Sequence, residues 1–68
     1  MRDVGITGDT IRLGQLLKLA GSVDSGADVK DLLAAGGVTV NGEVETRRGR
    51  QLVRGDHVST TAEDLLVT

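Results

Sequence analysis

The chain is predicted to be an α+β domain: two short helices packed on a small, mainly antiparallel sheet with a β-hairpin. Three observations predict it. Leu13, Leu16, Leu17 and Ala20, and then Val29, Leu32 and Leu33, recur at the spacing of helices with one buried face. Val38-Thr39-Val40 alternates as a strand and runs into Asn41-Gly42, a strong hairpin signal. Short apolar runs then return at Leu52-Val53, His57–Thr60 and Leu65–Val67 and read as further strands. A chain of 68 residues forms one domain at most, expected over 1–68 with a core over about 11–60.

Taken in order, residues 4–6 and 11–13 alternate briefly and are candidate strands. The first helix follows from Leu13 to Ala20, and Gly21 is its stop. Ser25 is a suitable N-cap for the second helix, with Asp28 three positions on as an Asp version of the capping box. Gly36-Gly37 ends that helix. Both helices are too short to be stable alone, so they must pack on each other and on the sheet. In the hairpin, burial favours a three-residue loop that pairs Val40 with Val44 and keeps both valines on one face. Gly55-Asp56 joins the next two strands. Leu16, Leu17, Leu32, Leu33, Val38, Val40 and Leu52 are the expected core.

Composition removes several function classes. The chain has no Phe, Tyr or Trp, which excludes platforms that stack nucleobases on aromatic rings. It has no Cys, so no disulfide or thiolate metal site is available. His57 is the single histidine, and Asp24, Asp28 and Asp31 lack EF-hand spacing, so no metal is expected. Ten glycines produce neither a Gly-Lys-Ser/Thr phosphate loop nor a GxGxxG. No cofactor and no catalytic constellation is expected. No apolar run is long enough to span a membrane, and the N-terminus resembles no targeting segment, so the expected compartment is the cytoplasm.

Charge is where the sequence becomes specific. The formal net charge is -2, yet Arg47, Arg48 and Arg50 fall within four positions, with Arg54 close behind and no acid between Thr46 and Gly55. Residues 12–55 hold seven basic against five acidic side chains, whereas both flanks are acidic. Guanidinium is a planar fork that takes two phosphate oxygens at once and stays charged at any working pH. The alternative reading is a solvated loop whose arginines pair with Glu43 and Glu45. A second candidate is the start of the second helix. There Ser25, Gly26 and the free amides favour an anion, with Lys30 one turn in and Lys18 near the end of the first helix. Ordinary capping with surface lysines is the alternative.

The order of these features resembles a known family. Leu16-Leu17-Lys18-Leu19-Ala20-Gly21 is followed by Ser25-Gly26 opening a helix and by Gly37-Val38-Thr39-Val40-Asn41-Gly42-Glu43. Glu45-Thr46-Arg47-Arg48-Gly49-Arg50-Gln51-Leu52 and Gly55-Asp56-His57-Val58 complete the pattern. It resembles the S-four RNA-binding domain, most of all the small bacterial proteins made of that domain alone. The resemblance implies a helix pair against a hairpin and further strands, with structured RNA of the ribosomal or transfer class as partner. Association with the ribosome and a monomeric state are further expectations for the chain. Carried over by position, the implied RNA contacts are Lys18, Ser25, Lys30, Arg47, Arg48 and Arg50. One shared polyanion requires Lys18, Lys30, Arg47, Arg48 and Arg50 on one exposed face.

Two other classes compete with it. A β-grasp sulfur carrier has similar length and a similar Val-Asn-Gly-Glu segment. Its chemistry needs a C-terminal Gly-Gly, whereas this chain ends Leu65-Leu66-Val67-Thr68. A protein–protein adaptor on the same fold is the third reading.

Overall fold

A computed structural model describes residues 1–68. The elements run β1 (Arg2–Val4), β2 (Thr10–Arg12), α1 (Leu13–Leu19), α2 (Gly26–Ala34), β3 (Val38–Val40) and β4 (Glu43–Val44), then β5 (Gln51–Val53), β6 (His57–Thr60) and β7 (Asp64–Val67). Five strands form one sheet in the order β1-β7-β6-β3-β4, and β2 pairs with β5 as a separate two-stranded ribbon. All pairings are antiparallel except β1 with β7. The α+β architecture expected from the sequence is the one observed.

The helix ends follow from the residues at them. Ser25 Oγ accepts the Asp28 N–H at 3.3 Å and caps α2. The second half of the expected capping box is absent, because the Asp28 side chain makes no bond back to the Ser25 backbone; Asp is one methylene shorter than the Glu this motif uses. Both helices stop in the same way. The Ser22 N–H returns to the Leu17 carbonyl at 3.0 Å, and the Gly37 N–H returns to the Leu32 carbonyl at 3.0 Å. Gly21 and Gly36, at φ 76° and 73°, supply the left-handed residue that this closure requires.

One buried cluster holds the fold together. It joins Leu13, Leu16 and Leu17 of α1, Val29 and Leu33 of α2, and inward residues of every longer strand, among them Val38, Val40, Leu52, Val58, Leu65 and Val67. Of the seven expected core residues, six are buried. Leu32 is the exception: it is half-buried and packs against the edge of the cluster. Arg2 ties the N-terminal strand down, forking onto Glu63 at 2.9 and 3.1 Å and donating to the Ala20 carbonyl.

The hairpin register corrects the expectation. Val40 pairs with Glu43, and Thr39 pairs with Val44, so the loop has two residues rather than three. Asn41 and Gly42 both take positive φ, 51° and 87°, the twist that matches a two-residue turn to its flanking strands. That turn outweighs the burial of one valine, and Val44 faces solvent at 63% exposure. The same register carries Glu45 to the inner side, where its N–H meets the Val38 carbonyl at 3.0 Å. Glu45 is the one charged side chain that the fold buries.

Candidate nucleic-acid interface

The arginine cluster lies in the turn between β4 and β5, and Glu45 shapes it. One carboxylate oxygen accepts the Thr46 and Arg47 backbone N–H groups at 3.0 and 3.1 Å, and the Arg47 Nε–H at 3.2 Å. The other accepts Arg47 Nη2 at 3.1 Å and Arg50 Nη1 at 3.3 Å. These bonds hold the Glu45 carboxyl down at about 2, against a usual 4.5. The Arg47 guanidinium bond is the largest cause, and loss of hydration opposes the shift. The same pair pushes the Arg47 guanidinium up.

The opposite side of the turn is held by α1. The Leu13 N–H donates to the Arg50 carbonyl at 2.8 Å, and the Gly14 N–H donates to the Arg48 carbonyl at 2.9 Å. The first amides of a helix have no partner within it, so the turn satisfies α1 while α1 fixes the turn. The approach is close: a Cβ on Gly14 would lie 3.4 Å from both the Cβ and the carbonyl oxygen of Arg48.

Arg48 borders two hollows. The first, of about 280 Å³, is bordered by Arg12, Gln15, Lys18, Gly26 and Arg48. The second is bordered by Lys30, Ala34, Thr46 and Arg48. No carboxylate lines either one. Arg12, Lys18, Lys30 and Arg48 are all exposed and form none of the chain's ion pairs, which join Arg2 to Glu63 and Arg47 and Arg50 to Glu45. The structure thus brings Lys18, Lys30 and Arg48 together around one surface. Ser25 lies beside it as the α2 cap. Arg47 and Arg50 are given to Glu45, with the Arg47 side chain still 75% exposed and that of Arg50 31% exposed. Glu43 takes no arginine, so the ion-paired reading of the cluster holds for Glu45 alone.

Two residues of this surface were not singled out from the sequence. Arg12 enters from the β2–α1 junction; its spacing to Gln15 and Lys18, three and then three residues, was the available signal. Glu45 was visible only as a member of an acidic pair. Its inward direction depends on the two-residue loop. His57 stands apart: it is half-buried on β6, its N–H donates to Asn41 Oδ1 at 2.9 Å, and its buried Nε2 has no partner. No group of three or more His, Cys, Asp or Glu side chains is placed to hold a metal ion. No helix is long and apolar enough to cross a membrane.

Unpaired cations from a strand end, two helices and a turn surround hollows free of carboxylates in a small α+β domain, the arrangement of charge that a phosphate-bearing polyanion would require. The comparison with known families agrees with that class: the sequence model of the S4 domain matches residues 4–68, and the chain belongs to that family. The match extends beyond the expected 11–60 on both sides and takes in β7 and the end of β1. A Bacillus subtilis (strain 168) protein provisionally named as ribosome maturation protein RlbA is 46% identical over 55 residues, 81% of this chain and 78% of its own length. An Escherichia coli (strain K12) protein provisionally named as RNA-binding protein YbcJ is 42% identical over 57 residues, 84% of this chain and 81% of its own length. The β-grasp alternative is a different family.

Proposed function

We propose that this protein is a non-catalytic module that binds folded RNA, of the ribosomal or transfer class, on the face made by α1, α2 and the 46–50 turn. The observation that carries this reading is the placement of Arg12, Lys18, Lys30 and Arg48 around carboxylate-free hollows in a chain of net charge -2. An acidic protein attracts RNA only where its positive charge is concentrated. The provisional names of the two relatives, one for RNA binding and one for ribosome maturation, support the same class of partner. The cytoplasm, where ribosomes and transfer RNA lie, is the compartment that fits.

Arg12, Lys18, Lys30 and Arg48 meet phosphates directly in this reading. Ser25 orients the start of α2, Arg47 offers only the part of its guanidinium that Glu45 leaves free, and Arg50 braces the turn. Folded RNA is preferred because it holds phosphates at fixed spacing, while the chain has no aromatic ring on which to stack splayed bases.

The test is a salt titration of binding to an RNA hairpin and to an unstructured strand of equal length. Four phosphate contacts give a log–log slope of about -2.8 to -3.6, at about 0.7–0.9 per contact. Tighter binding to the hairpin with that slope supports the reading. Equal affinity for both RNAs, or no salt dependence, refutes it.

A further inference from the structure

We infer that Glu45 is a positioning residue for the RNA face: its buried carboxylate holds the 46–50 turn in the shape that presents Arg48 between Lys18 and Lys30. This inference rests on the RNA-binding reading above.

An acid inside a basic cluster is an unfavourable neighbour for a polyanion, so its presence needs a reason. Glu45 is only 6% exposed and accepts five hydrogen bonds, all from Thr46, Arg47 and Arg50. A carboxylate has room for about four acceptor sites, so this one has none left for a ligand. Its bonds all go to the turn that carries Arg48. Two of them are backbone amides, which fix the chain direction directly. The other three take Arg47 as a fork and Arg50 end-on, occupying the side chains of the residue before Arg48 and of the residue two after it.

The far side of the turn is closed by α1, through Leu13 to the Arg50 carbonyl and Gly14 to the Arg48 carbonyl. Arg48 is therefore clamped by its own carbonyl and by the bonds that Arg47 and Arg50 make to Glu45. It is the one arginine of the three whose side chain has no partner. Two guanidiniums against one carboxylate also leave the clamp locally positive, so the buried acid does not repel RNA. Preorganisation of this kind lowers the ordering cost that binding would otherwise carry.

A masking role makes the opposite prediction. If Glu45 merely neutralised Arg47 and Arg50, its removal would release two cations and strengthen RNA binding. The experiment measures hairpin RNA affinity across a salt series for the wild type, Glu45→Gln, Arg48→Ala and the double variant. Positioning through Arg48 predicts that Glu45→Gln weakens binding about tenfold, near 1.4 kcal/mol. Its salt slope flattens by about one contact, or 0.7–0.9. The double variant then binds no more than about twofold weaker than Arg48→Ala alone, because both changes remove one interaction. Tighter binding or a steeper slope in Glu45→Gln, or losses that multiply in the double variant, overturns the inference.

Arg47→Lys guards against loss of fold in Glu45→Gln, since it keeps the charge and the buried acid while removing the fork. It is expected to lose severalfold in affinity while still unfolding in one cooperative thermal transition; unchanged affinity overturns the inference. A wild-type protein that binds neither RNA removes the RNA-binding reading itself. A wild type that binds, with an Arg48→Ala loss but a neutral Glu45→Gln, removes only the role of Glu45.

Discussion

The Gly14 N–H donates to the Arg48 carbonyl at 2.9 Å, so α1 grips by its backbone the residue that borders both hollows. A Cβ at position 14 meets Arg48 at 3.4 Å, the near edge of ordinary contact, and Val29 Cγ1 at 3.6 Å. Alanine therefore fits and relieves the helix of a glycine. Gly14→Ala is expected to leave stability unchanged or to raise it by up to about 1 kcal/mol, with RNA affinity retained. Gly14→Val adds branches with no room beside Arg48 and lifts the turn. It should weaken hairpin binding more than it lowers the thermal transition. Equal RNA binding by the Val and Ala variants would show that this contact does not govern the site.

The arginines are expected to separate in their salt response. Arg50 is bound to Glu45 at 3.3 Å and half-buried, while Lys18 is exposed and borders the main hollow. Lys18→Ala should flatten the log–log salt slope by about 0.7–0.9, the share of one phosphate contact. Arg50→Ala should leave that slope in place, whatever it does to absolute affinity. A larger slope change for Arg50 than for Lys18 would return Arg50 to the RNA surface.

Neighbouring leucines of α2 test the core. Leu33 is 1% exposed, and Leu32 lies at the rim of the cluster. Leu33→Ala should cost about 2–5 kcal/mol, since a domain with no aromatic residue has little apolar mass to close the cavity. Leu32→Ala should cost less, because part of its surface is already in water. Denaturant unfolding of the two variants gives both numbers. A smaller loss at Leu33 than at Leu32 contradicts the assignment of the buried stripe.

Local signals explain what was readable in the sequence. Apolar spacing placed α1 and α2, and the Ser25 cap with the glycines at 21 and 36 placed their ends within a residue or two. The hairpin is legible as an element but not in its register, because burial of Val44 favours a three-residue loop while the positive φ of Asn41 and Gly42 sets a two-residue one. That single slip hid Glu45, whose inward direction follows only from the two-residue loop. The division among the arginines was hidden with it. Arg12 belongs to the surface through a junction of two elements, and its approach to Arg48 is a property of the packed fold. The basic cluster was a sequence feature; which of its members stay unpaired was a tertiary one.

The ionisation of Glu45 gives the last test. Its carboxyl is held at about 2 in the fold, from a usual 4.5, first by the Arg47 guanidinium and then by the Arg47 backbone N–H. A depressed native value means that the unfolded chain takes up the proton first. The stabilisation is therefore complete above about pH 4.5 and is lost as the pH falls through about 2. The chain has ten acids in all, so acid unfolding of the wild type alone does not isolate this one. Glu45→Gln carries no titrating group at the position. Thermal transitions of the two proteins should differ most above pH 4.5 and converge as the pH approaches 2. Curves that stay parallel across this range would show that the bonds from Thr46, Arg47 and Arg50 do not depend on the charge of Glu45.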